Sequence, residues 1–137
     1  MIDKSDWQPQ ARTTVAAHYL YDDRILIVWP DDGALDTGES AAENRDFQHA
    51  FFRDRGIQGA VAIYFDRIAG QDRDARRIYS TDMDPELAGC IAMIGGSRLT
   101  RALISFFVGF SPSRMPFKLF PTLEAALPWI NEQLGPK

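Results

Sequence analysis

Short runs of consecutive apolar residues, separated by polar turns, mark the strands of a predicted sheet. Three of them, Arg24–Trp29, Gly59–Phe65 and Cys90–Ile94, are nearly unbroken. Such runs are typical of strands that are covered on both faces, as in a parallel sheet. Thr13–Tyr21 and Met115–Phe120 are weaker candidates, because alanines interrupt the first and a proline stands near the start of the second. The pattern therefore predicts about five strands.

Helical spacing of apolar residues appears between these runs. The longest helix is expected over Leu35–Arg55, with Gly56 as its C-cap. A short helical turn is expected at Asp84–Glu86, where Asp, Pro and Glu occur in the order that starts a helix. The other predicted helices are Arg73–Tyr79, Arg98–Gly109 after the N-cap Ser97, and the segment from Thr122 to Leu134, which contains Pro128.

The order of these elements is β-β-α-β-α-β-α-β-α, which predicts one α/β domain over residues 1–137. We expect a mixed, mostly parallel sheet of about five strands with about four helices. The turn at Asp22 and Asp23 joins the first two strands into an N-terminal β-hairpin. Residues 1–12 are polar and are expected to form a loose N-terminal segment.

Charge and composition narrow the classes of partner. The net charge is −4 and the pI about 5.1, so a phosphate backbone is an unfavourable partner and nucleic acid is not expected. The single cysteine, Cys90, excludes an internal disulfide and suits a reducing compartment. The longest apolar stretch is too short to span a membrane, and the polar N-terminus is unlike a signal peptide. These features predict a cytoplasmic protein.

Several local sequences resemble a known group of domains. The stretches that carry the resemblance are Asp74–Tyr79, Ala92–Ser97, Pro116–Phe120 and Leu123–Ile130. They are similar to STAS-type domains with the SpoIIAA-like, anti-anti-sigma fold, over roughly residues 24–134. The resemblance implies a regulatory role or a lipid-like binding role.

One stretch departs from that group. Its members carry a phosphorylatable Ser or Thr where the central strand meets the next helix. The corresponding stretch here, Asp66–Asp72, contains neither residue. The resemblance therefore implies interaction and regulation without the usual phosphorylation switch.

The turn Gly95-Gly96-Ser97-Arg98, with Arg101 one turn later, is a candidate anion-binding site. A strand that leads through a glycine pair into a helix presents backbone N–H groups, and two arginines add positive charge. The alternative is an ordinary capped helix with solvated arginines. The turn lacks the lysine and spacing of a P-loop, so nucleotide hydrolysis is not expected.

The helix predicted after Ser97 is apolar over more than one face, which suggests a second apolar contact. The simplest occupant is a second copy of the chain, and the alternative is a small apolar ligand. The candidate interface or pocket residues are Ile104, Phe106, Phe107, Val108, Phe110 and Met115.

Catalytic and metal-binding patterns are weak. His18 and His49 stand on separate predicted elements with no third zinc ligand at suitable spacing. Helix capping and loop solvation account for the acidic set, and no G-x-S-x-G elbow is present. The acidic set comprises Asp66, Asp72, Asp74, Asp82 and Asp84. We therefore expect no cofactor, no metal and no catalytic residue, and a non-catalytic regulatory or protein-binding domain, with small-ligand binding as the alternative.

Overall fold

The computed structural model describes residues 2–98, 101 and 116–136. Its main sheet has six strands in the spatial order β1-β2-β3-β5-β7-β8, and β4 pairs with β6 in a second, two-stranded sheet. The strands of the main sheet are β1 (Gln8–Arg12), β2 (Ala16–Tyr21), β3 (Ile25–Pro30), β5 (Gly59–Tyr64), β7 (Ala88–Ile94) and β8 (Phe117–Phe120). The small sheet consists of β4 (Ala34–Asp36) and β6 (Ile68–Gln71). The described α-helices are α1 (Gly38–Arg55), α2 (Arg73–Thr81) and α3 (Leu123–Leu134), and Lys4–Asp6 and Phe65–Arg67 form short 3-10 helices.

Strands β3, β5, β7 and β8 run parallel, whereas β1 and β2 join them antiparallel. This arrangement confirms the predicted mixed, mostly parallel α/β sheet, although the main sheet has six strands among the described residues rather than about five. The hairpin turn forms at Asp22 and Asp23, whose φ angles are 55° and 65°. Consecutive positive φ angles are typical of the tight turns that join antiparallel strands.

The two faces of the sheet pack against different helices. On one face, α1 and α2 contact each other and cover the large aliphatic side chains of the strands, including Leu26, Ile63 and Met93. On the other face, α3 lies over fully buried small residues. These are Ala60, Ala62, Cys90 and Ala92. Small side chains there let α3 approach the sheet closely.

The N-terminal segment differs from the expectation. Residues 1–12 were expected to be loose, but Gln8–Arg12 forms β1 on β2, and Trp7 is only 7% exposed. Four of the five β1 residues are exposed. An exposed edge strand of this kind carries no apolar run, so the sequence pattern did not predict it.

One predicted boundary needs correction. Helix α1 begins at Gly38 rather than Leu35, because Ala34–Asp36 pairs with Ile68–Gln71 instead. At Asp84 the chain forms a single turn of the expected length, in which the Leu87 and Ala88 N–H groups donate to the Asp84 carbonyl oxygen before β7 begins. The described part of the chain contains three α-helices, where about four were predicted. The predicted helix after Ser97 lies outside the described residues except for Arg98 and Arg101.

No described helix combines the length and the apolar character needed to cross a membrane.

Candidate functional site

The carboxyl ends of the parallel strands bring several predicted site residues to one edge of the sheet. Because β3, β5 and β7 point the same way, Trp29, Tyr64 and Ile94 end at this edge. Ligands of open α/β sheets commonly bind at this end of the strands. The loops that leave this edge therefore form the candidate site.

Asp66 connects two of these loops. Its carboxylate accepts hydrogen bonds from the backbone N–H groups of Gly96, at 3.0 Å, and Ser97, at 3.1 Å. A Cβ atom at Gly95 would lie 2.6 Å from the Asp66 carboxylate, so a glycine is needed for this close approach. We call this arrangement of Asp66 with Gly95, Gly96 and Ser97 the carboxylate latch.

The carboxylate latch bears directly on the predicted anion site. Gly95, Gly96, Ser97, Arg98 and Arg101 do lie together, with the Arg101 N–H 3.0 Å from the Ser97 carbonyl oxygen as in a helix. Two of the backbone N–H groups that were predicted to bind an anion already donate hydrogen bonds to Asp66. The side chains of Arg98 and Arg101 are exposed. An external anion would have to compete with this carboxylate, so the geometry does not favour the prediction.

An acid-rimmed groove lies at the same end of the sheet, between the β1–β2 turn and the start of α1. It measures about 300 Å³. Its lining residues are Thr14, Val15, Leu35, Thr37, Glu39, Ser40 and Glu43. Leu35 is 66% exposed, and it is the one large apolar side chain that stands exposed in the described part of the chain. The sequence prediction missed this groove because it placed Leu35 inside a helix.

A buried polar network underlies the start of α1. The Ser40 hydroxyl donates to Asp36 at 2.5 Å, and the Asn44 side chain donates to the Tyr79 hydroxyl at 3.1 Å. Burial raises the pKa of Asp36, while hydrogen bonds from Ser40, Gln71 and Tyr79 oppose that shift. Burial also raises the pKa of Tyr79 well above its usual range. The network fixes α1 and α2 to the small sheet, and no signal in the sequence pointed to it.

An aromatic cluster formed by Trp7, Tyr19, Trp29 and Tyr64 covers the other face of the sheet beside α3. Trp7 contacts the other three rings at centroid distances of 5.4–5.8 Å. The Lys4 ammonium lies 4.4 Å from the centre of the Trp29 ring, and the Arg67 guanidinium lies 4.3 Å from it. These cation–π contacts hold the N-terminal segment and the loop after β5 against Trp29.

The two histidines occupy separate structural positions. His18 is 1% exposed, contacts the Phe47 ring and lies 3.3 Å from the Gln48 side chain. Burial lowers the pKa of His18 to about 4, although Glu43 opposes the shift. His49 accepts a hydrogen bond from the Asp84 N–H at 3.0 Å. The histidines are therefore not brought together.

The acidic set is dispersed over the fold. Asp72 caps α2 through the Ala75 N–H at 2.8 Å, and Asp82 lies 3.7 Å from Arg45. Asp74 pairs with Arg77 on the surface, and Asp84 accepts the Glu86 N–H. Within residues 2–98, 101 and 116–136, no three His, Cys, Asp or Glu side chains converge in a way that could hold a metal ion.

Two further candidates are the thiol of Cys90 and the predicted interface or pocket residues. Cys90 is fully buried under α3, and burial raises the pKa of its thiol to about 12. A thiol that stays protonated at neutral pH is a poor nucleophile. The predicted interface or pocket residues lie outside the described residues. They are Ile104, Phe106, Phe107, Val108, Phe110 and Met115.

Comparison with known proteins places the chain in a family. A family model described as a domain of unknown function (DUF7793) matches residues 50–134, more than half of the 137-residue chain. The chain belongs to this family. The matched region of the DUF7793 family runs from α1 to the end of α3, so it includes both loops of the carboxylate latch. No curated protein matches the chain.

A solved structure agrees with the fold. It is a crystal structure of an uncharacterized protein of the DUF3478 family from Shewanella loihica PV-4, described as having a SpoIIAA-like fold. The two chains are 13% identical, with a TM-score of 0.51, and the match covers 95% of this chain and 99% of that one. The predicted SpoIIAA-like resemblance is thereby confirmed at the level of the fold.

Proposed function

We propose that this DUF7793 chain is a non-catalytic regulatory domain that binds a partner protein at the carboxyl ends of its parallel strands. The observation that carries the proposal is the carboxylate latch. Asp66 fixes the loop after β7 from within the chain and leaves Arg98 and Arg101 exposed beside it. A surface that is ordered before binding loses less conformational entropy when a partner docks.

The positions of three potentially reactive side chains in the described part of the chain support a non-catalytic role. Cys90, His18 and Tyr79 are buried among packing or hydrogen-bonding partners, and none of them lines the acid-rimmed groove. A general base or nucleophile must reach its substrate within hydrogen-bonding distance. These three groups serve the core instead.

The regulatory part of the proposal draws on the SpoIIAA-like fold. The stretch Asp66–Asp72 carries a carboxylate in the latch and no Ser or Thr. We therefore propose that docking at this edge does not depend on phosphorylation within that stretch. A signal would have to act through the partner or through another part of the chain.

The small-ligand alternative stays a prediction, because most of the residues predicted to line its pocket lie outside the described part of the chain. A narrow cavity lies beside Asp36, Asn44 and Tyr79, but it measures only about 10 Å³. That volume suits about one water molecule and not an organic ligand. The homodimer expected from the apolar helix face stays a prediction.

The proposal is tested by charge reversal at the docking edge. A partner captured with the purified chain would be identified, purified and measured against the variant Arg98→Glu/Arg101→Glu. The matched control is Arg53→Glu, an exposed arginine in the last turn of α1 at the opposite end of the strands. We expect the double variant to weaken binding by tenfold or more and the control to bind like the unaltered chain. Equal weakening by the control, unchanged binding by the double variant, or failure to capture any partner would overturn the proposal.

A further inference from the structure

We infer that the acid-rimmed groove binds a partner segment in which a lysine or arginine stands beside an aliphatic side chain. This inference rests on the proposed function and narrows it to one docking site and one partner chemistry. The groove joins a negative rim to an exposed apolar wall, and its volume of about 300 Å³ is at the lower end for ligand sites.

The charges on the groove all have one sign. Glu39 and Glu43 stand one helical turn apart on α1, and no lining residue is basic. Like charges at this spacing destabilise a helix. A cation bound between the two carboxylates would relieve this repulsion. Glu43 also accepts the Thr14 N–H at 2.7 Å, so its carboxylate is held at the rim.

The start of α1 does not offer a competing anion site. Thr37 accepts the Ser40 N–H at 3.2 Å, and Asp72 accepts the Gly38 N–H at 3.3 Å. These side chains satisfy two of the first N–H groups of the helix and add a further negative charge nearby. The local electrostatics therefore select a cation.

The apolar wall of the groove, formed by Leu35 and Val15, is the reason to expect an aliphatic side chain in the partner. Leu35 packs on one side against Gly70, where an added Cβ would lie 3.3 Å from the leucine Cδ2. The rest of the side chain faces solvent, and Val15 also lines the groove. Burial of the exposed part of this leucine by a partner would stabilise a complex. An aliphatic neighbour of the bound cation would supply that contact.

The test is an NMR titration of the ¹⁵N-labelled full chain with a capped peptide of alternating arginine and leucine. Matched peptides carry glutamate for arginine or serine for leucine. We expect saturable shifts at the amides of Leu35, Thr37 and Glu39 with the arginine–leucine peptide, and binding about tenfold weaker or absent with the others. Glu39→Lys and Leu35→Ser, both at exposed positions, should each weaken binding about tenfold, whereas Arg53→Glu should not.

Several outcomes would overturn the inference. These are shifts confined to another surface, equal binding of the glutamate peptide, or binding that survives Glu39→Lys. Shifts that depend on the concentration of the chain alone would show that a second copy occupies the groove. If the peptide fails while Arg98→Glu/Arg101→Glu still abolishes partner binding, the groove is excluded and the proposed function stands.

Discussion

At the scale of single residues, Asp66 joins two strand ends that are far apart in sequence. Its carboxylate accepts the N–H groups of Gly96 and Ser97, and it is itself exposed at the surface. No local sequence pattern indicates this pairing, because Asp66 and Gly96 meet only when β5 and β7 lie side by side. The glycine pair looked like an anion site because the chain's own carboxylate could not be placed there.

We expect Asp66→Ala to speed hydrogen exchange at the Gly96 and Ser97 amides by about tenfold. The free energy of unfolding should fall by only about 1 kcal/mol, since the exposed N–H groups can bind water instead. Amide exchange followed by NMR measures the first effect and urea unfolding the second. Asp32→Ala is the control, because Asp32 is exposed on a neighbouring turn and takes no part in the latch. Unchanged exchange at Gly96 and Ser97 would contradict the assignment.

Gly95→Ala should disturb the same hydrogen bonds, because its Cβ would lie 2.6 Å from the Asp66 carboxylate. The prediction is sharpest as a double-mutant cycle. We expect Gly95→Ala to destabilise the unaltered chain more than it destabilises the Asp66→Ala variant, as measured by urea unfolding. Equal costs in both backgrounds would show that the steric conflict lies elsewhere.

His18 makes stability depend on pH. The folded chain binds its proton with a pKa of about 4, whereas the unfolded chain binds it near 6.5. The unfolded chain therefore holds more protons between these values, and stability is lost as the pH falls through this window. The effect is on the order of 3 kcal/mol. The raised pKa of Asp36 acts in the opposite direction, so the His18 contribution has to be isolated by difference.

We expect His18→Leu to reduce the fall in the free energy of unfolding between pH 7 and pH 4.5. Urea unfolding of both chains at the two pH values gives the difference, which does not depend on the overall cost of the substitution. An identical fall in the two chains would mean that His18 is not buried in its neutral form.

At the scale of elements, whether a strand or helix could be predicted from the sequence depended on how that segment is buried. Strands β3, β5 and β7 were predicted because both of their faces are covered, which leaves continuous apolar runs. Strands β1, β4 and β6 were not, because they are short or exposed and pair through backbone groups that any sequence carries. The helices α2 and α3 were recognised from their caps and spacing. The latch and the groove arise where separate elements meet, which local patterns do not encode.

The packing of α3 on the sheet gives a prediction at this scale. Ala62 is fully buried among the small residues beneath α3. Ala62→Leu should overpack this layer and lower the free energy of unfolding by about 1–3 kcal/mol. Leu35→Ala, at a site 66% exposed, should change it by no more than about 0.5 kcal/mol. Urea unfolding checks both, and a neutral Ala62→Leu would show that α3 does not pack closely there.

At the scale of the whole molecule, the two ends of the parallel strands differ. The carboxyl end carries the latch, the exposed arginines and the acid-rimmed groove, while Cys90, His18 and Tyr79 are buried within the fold. This division supports a domain that docks a partner at one end and keeps the rest of the chain as a scaffold. The fold is shared with a SpoIIAA-like protein, but the proposed docking chemistry comes from residues of this chain.

Site-specific photo-crosslinking tests this account most directly. A photoreactive residue would replace Arg101 at the carboxyl end or Glu132, which is exposed near the end of α3 at the opposite edge. We expect the partner to crosslink from position 101 and not from position 132. Crosslinking from position 132 alone, or equally from both, would contradict docking at the carboxyl ends of the strands.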